Sequence, residues 1–104
     1  MVEQISSVEE FDAILKTNRS VFADFFATWC GPCKMVGPVV EKVSDVEKDV
    51  KFIKIDVDQV SELASRFGIM SIPTLLAFRD GEKVGEILGF VPEAQISALV
   101  AKTK

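Results

Sequence analysis

The chain has 104 residues, of which 48% are hydrophobic and 27% charged, and a formal net charge of −4. That balance fits one globular domain, residues 1–104, and excludes a disordered chain. Lys and Arg are scattered, with no basic stripe interleaved with aromatics, so nucleic acid is not expected as a ligand. No apolar run approaches the length of a membrane span.

Val2–Ile5 reads as a short strand. Ser7 and Glu10 form an S-x-x-E capping box, after which Val8, Phe11, Ile14 and Leu15 share one helical face. Val21–Ala27 is a central strand, apolar on both faces except at Asp24. A helix then follows Trp29-Cys30-Gly31-Pro32-Cys33 and runs to about Glu47, with Val36, Val39, Val40, Val43 and Val46 as its apolar stripe and Pro38 as an expected kink. Lys51–Val57 alternates, with Ile53, Ile55 and Val57 on one face and Phe52, Lys54 and Asp56 on the other. Asp58 reads as the N-cap of a helix over 59–67, ended by Gly68. Ile69–Thr74 is a loop. Asp80-Gly81 turns the strand Leu75–Arg79 into Lys83–Leu88, and Gly89 marks a bend or a close backbone approach. A last helix starts near Pro92-Glu93 and turns Ile96, Leu99 and Val100 inward. Strands joined by helices should be parallel and the final pair antiparallel, which makes a mixed sheet of about five strands flanked by about four helices.

The chemistry centres on the only two cysteines. C-x-x-C can be half a zinc site, a structural disulfide or a reversible dithiol. Zinc needs four ligands, and this chain has no histidine and no second cysteine pair, so no metal site is expected. A bridge across so short a loop removes little unfolded-state entropy. A dithiol at the start of a helix is the reading that uses its place, because helix-terminal amides favour a thiolate. Asp24 is either turned to water or a buried proton acceptor with a raised pKa, and its position six residues before Cys30 favours the second. Lys54 either packs its stem and sends its head to solvent or pairs with Asp24. Lys34 reads as a solvated surface lysine.

Trp29-Cys30-Gly31-Pro32-Cys33-Lys34, with Asp24 upstream and Ile72-Pro73-Thr74 downstream, resembles the thioredoxin family, and the resemblance runs from about Ile5 to Val100. It implies an α/β thioredoxin fold and a protein-disulfide reductase with a Cys30–Cys33 redox disulfide. Cys30 would be the exposed nucleophile and Cys33 the deeper, resolving sulfur. It also implies Asp24 as proton acceptor, Lys54 near it, a second role for Asp58 in accepting from the Trp29 indole, and a cis bond before Pro73. A docking surface would include Trp29, Gly31, Pro32, Val57, Ile72, Pro73 and Gly89. Leu88 reads instead as core packing. Gly31 and Pro32 place no histidine between the cysteines, which points to a reductase and away from an oxidase or isomerase. Disulfide-containing proteins and a thioredoxin reductase, a flavoprotein fed by NADPH, are the implied partners. The chain itself should bind no cofactor, since it has no G-x-G-x-x-G. A cytoplasmic monomer is expected, given no secretory signal. A binding module using the same surface without turnover is the alternative. Two departures from the family stand out: Phe26 where many members have tryptophan, and Ser71 where glycine is common.

Overall fold

The computed structural model describes all residues 1–104. Its elements are β1 (Glu3–Ile5), α1 (Val8–Thr17), β2 (Ser20–Phe26), α2 (Gly31–Val46), β3 (Lys51–Asp56), α3 (Ser61–Arg66), β4 (Thr74–Arg79), β5 (Glu82–Leu88) and α4 (Glu93–Ala101). They form one five-stranded sheet in the order β1-β3-β2-β4-β5. β1, β3 and β2 are parallel; β4 runs antiparallel to both β2 and β5.

Side-chain alternation along β2 divides the core. Val21, Ala23 and Phe25 point to one face, where Phe11 of α1 and Leu63 of α3 complete a cluster with Ile53, Ile55, Leu76 and Phe78. Phe22 points to the other, packed with Val36, Val40 and Val43 of α2, Phe52, Leu75, and Ile96, Leu99 and Val100 of α4. Asp24 shares the Phe22 face by the same alternation, so its carboxylate lies under α2.

Local chemistry sets the ends of the helices. The Glu10 amide donates to the Ser7 hydroxyl at 3.1 Å, and the Glu10 carboxylate reaches back to the Ser6 amide at 2.9 Å. α2 continues through Pro38, which offers no amide to the carbonyl four residues earlier. Val46 is exposed at the end of that helix, so the apolar stripe ends at Val43. α3 starts two residues later than Asp58 would set it, at Ser61, with Val60 at the cap and no side-chain cap bond. Asp56 makes the preceding turn instead: its carboxylate accepts the Asp58 amide at 2.9 Å, and its carbonyl accepts from Gln59 and Val60.

Gly37 has no backbone reason to be glycine. A Cβ there would meet nothing within 4 Å, and its φ is not among the positive values. Glycine inside a helix costs roughly 1 kcal/mol relative to alanine. Gly37→Ala is therefore expected to stabilise the fold by about 0.5–1 kcal/mol, read as a higher urea midpoint at unchanged slope.

Candidate active site

Antiparallel pairing of β2 with β4 assembles the site. Phe25 opposes Thr74 and Asp24 opposes Leu75, so the chain leaving β2 toward Trp29–Cys33 meets the chain entering β4 through Ile72-Pro73. The Ile72–Pro73 bond is cis. Gly89, at φ 83°, closes the other side, and its amide donates to the Pro73 carbonyl at 2.8 Å. Gly89 is thus both a bend and a close backbone approach.

Cys30 is the N-cap of α2 and Gly31 and Pro32 form its first positions. Cys30 and Cys33 are joined by a disulfide, with Cα atoms 5.3 Å apart. The Cys33 amide donates to Cys30 Sγ at 3.2 Å. An amide aimed at sulfur from a helix start stabilises negative charge on it, so this bond favours Cys30 as the thiolate once the pair is reduced. Cys30 Sγ also lies 3.8 Å from the Ile72 carbonyl oxygen. The expected contrast between an exposed Cys30 and a deeper Cys33 is absent from this oxidised state: their exposures are 4% and 6%. The Ile72 backbone covers Cys30, a contact between segments 42 residues apart.

Trp29 is 69% exposed, and its indole N–H donates to the Asp58 carboxylate at 2.8 Å. That bond, in place of a helix cap, is what Asp58 does. Val57 is half-buried and lines a shallow groove of ≈ 580 Å³ with Trp29, Ile69, Met70, Ser71 and Ile72. Leu88 is exposed, not packed in the core: its face of β5, shared with the exposed Glu86, lies opposite to the face on which α4 packs against Gly85 and Ile87. Lys34 is exposed as expected.

Asp24 is 4% exposed and its Oδ1 has no hydrogen-bond partner. Burial pushes its pKa from 3.8 up to about 7, and the positive charge of Lys54 opposes that rise. Lys54 is its neighbour across β2–β3, but the two form no direct ion pair. The Lys54 ammonium instead lies 5.7 Å from the centre of the Phe26 ring. Two hollows, of ≈ 330 and ≈ 310 Å³, flank Asp24, and Cys33, Lys34, Gly37 and Lys54 line both. Gly37 is the residue of this group that sequence reasoning missed. Its signal was a glycine inside a helix, far from either cap.

No group of three or more His, Cys, Asp or Glu side chains is placed to hold a metal. No helix is long and apolar enough to cross a membrane.

The thioredoxin family profile matches residues 2–102. The thioredoxin of Mycoplasmoides gallisepticum is 42% identical over 95% of this chain and 99% of its own length. Thioredoxin-1 of Schizosaccharomyces pombe is 46% identical over 94% of this chain and 98% of its own. Among solved structures, thioredoxin of Plasmodium falciparum superposes with a TM-score of 0.91 at 40% identity, covering 97% of this chain and 98% of its own. Similarity at that level over the whole fold, around a cysteine pair at the start of α2, makes this chain a member of the thioredoxin family, protein-disulfide oxidoreductases that reduce disulfide-containing targets, are served by thioredoxin reductase and carry electrons on the cysteine pair with no bound cofactor.

Proposed function

We propose that the chain works as a single-domain monomer in the cytoplasm and reduces protein disulfides in two steps, with Cys30 as nucleophile, Cys33 as resolving sulfur and Asp24 as the acceptor of the Cys33 proton. The Cys30 thiolate attacks one sulfur of the target's disulfide, and the other sulfur leaves as a thiolate that takes a proton from water. Asp24 removes the proton from the Cys33 thiol. The new thiolate attacks Cys30 Sγ, the bond between Cys30 and the target breaks, and the target's second sulfur leaves as a thiolate. Two electrons have passed from the dithiol to the target. An NADPH-fed flavoprotein reductase returns them.

The observation that carries this reading is the buried, unpartnered Asp24 carboxylate that opens with Cys33 onto the same hollows. A group with a pKa near 7 both accepts and returns a proton at neutral pH. Lys54 moderates that value from the neighbouring strand. Targets dock on Trp29, Gly31, Pro32, Val57, Ile72, Pro73 and Gly89, with an extended segment pairing to the Ile72 backbone. Rapid-mixing kinetics of Asp24→Asn with a single-disulfide target test the assignment. Formation of the mixed disulfide is expected to stay within about twofold, and its resolution to slow by about tenfold or more. Equal slowing of both steps would remove Asp24 from the mechanism.

A further inference from the structure

We propose that Gly37 is a positioning residue for the resolving step: the missing side chain keeps open the route by which water reaches Asp24 and carries its proton away. The inference rests on the reading of Asp24 as proton acceptor and adds how that proton leaves. Asp24 is almost fully buried, so a proton taken from Cys33 needs a path to solvent. Both hollows beside it are lined by Gly37 on α2, and Gly37 is itself half-buried, at the boundary between the hollows and the surface. A Cβ at Gly37 would meet nothing within 4 Å beyond its chain neighbours and the backbone of its own helix. Helix α2 thus carries a residue that weakens it, at a place where neither packing nor backbone conformation calls for one. What the glycine preserves is volume. A water occupies about 30 Å³, so either hollow holds several, with the Asp24 carboxylate, the Cys33 sulfur and the Lys54 ammonium as polar partners.

The titratable or charged groups lining these hollows with Asp24 are Cys33, Lys34 and Glu41 of α2 and Lys54 of β3; β4 sets only Leu75 opposite Asp24. None of them replaces a water at Oδ1, which lacks any protein partner.

The test compares Gly37→Leu, which fills the space, with Gly37→Ser, which is small and polar, and with Asp24→Asn. Mixed-disulfide formation and resolution are timed separately across about pH 5–9, a range that brackets the raised Asp24 pKa of about 7. The Asp24 carboxyl is followed by carbon-13 NMR. Gly37→Leu is expected to slow resolution by about tenfold while leaving formation within twofold, and to move the midpoint of both the Asp24 titration and the resolving-step pH profile upward. Gly37→Ser should resolve at close to the wild-type rate. Gly37→Met, unbranched and flexible, takes the place of the leucine variant if that one does not fold. Wild-type resolution in Gly37→Leu, or equal slowing of both steps, overturns the inference. If Asp24→Asn slows resolution and Gly37→Leu does not, only the role of Gly37 falls. If Asp24→Asn resolves at the wild-type rate, the reading of Asp24 falls and this inference with it.

Discussion

Cys33→Ser is expected to stop at the mixed disulfide, whereas Cys30→Ser is expected not to react at all. The two sulfurs are bonded to each other, yet their surroundings differ. Cys30 caps α2, receives the Cys33 amide and lies beside Trp29 and Ile72, where a target would dock. Cys33 lines the hollows shared with Asp24 beneath the helix. With Cys33 removed, the Cys30 thiolate still attacks, but no sulfur stands within reach to displace the target. The complex should accumulate as a species heavier by the mass of the target, released by dithiothreitol. With Cys30 removed, Cys33 faces the interior hollows and not the docking face. Turnover should then fall by ~10³-fold or more, to the rate of dithiothreitol alone. Trapping by Cys30→Ser and not by Cys33→Ser would reverse the roles.

Asp24→Asn should make the protein more stable at pH 8 and leave stability nearly unchanged at pH 4. The folded state raises the Asp24 pKa above its ordinary value of 3.8, to about 7. Below pH 4 the group is protonated in both folded and unfolded chains and costs nothing. Between 4 and 7 the unfolded chain releases the proton while the folded one keeps it, so folding loses stability as pH rises. Above 7 both are ionised and the cost is constant. At about 1.36 kcal/mol per pH unit, that cost is roughly 4 kcal/mol. Asparagine keeps the shape and cannot ionise, so the gain should follow the same curve: absent at pH 4, growing to at most ~4 kcal/mol at pH 8. Urea unfolding of the oxidised protein at the two pH values measures it. An equal gain at both would mean that packing, and not ionisation, separates the variants. The site therefore holds a group that weakens the fold at the pH where, on the proposed mechanism, it acts as a base.

The strands and helices were legible because their periods are clean. The strand expected at Val21–Ala27 forms at Ser20–Phe26 and the one expected at Lys51–Val57 forms at Lys51–Asp56, each end within a residue. The cysteine pair was legible from its type and spacing, whereas the cis bond before Pro73 came only from the family resemblance. What misled were residues with two local options whose choice is made by a distant segment. Asp58 looks like a helix cap, but Trp29, 29 residues away, takes its carboxylate, and Asp56 builds the turn. Cys30 looks exposed until the Ile72 loop is laid over it. Leu88 alternates like a core residue, although its face of β5 is the one that α4 leaves uncovered. Lys54 and Asp24 sit side by side without an ion pair, and the Lys54 ammonium lies over the Phe26 ring instead. Gly37 was passed over because a missing side chain leaves no pattern to read.

The two outer strands have a consequence for self-recognition. On the docking mode proposed above, in which an extended segment pairs with the Ile72 backbone, open strand edges elsewhere would invite the protein's own copies as well. β1, one edge, is only three residues long and begins with Glu3. β5, the other, carries Glu82, Lys83 and Glu86, and its register against β4 slips between Ala77 and Phe78, leaving Val84 as the extra residue. Short length, charge and a bulge are each deterrents to edge-to-edge pairing. On that docking mode, backbone pairing is confined to the place where the disulfide lies beside it, and both outer edges are guarded against self-association.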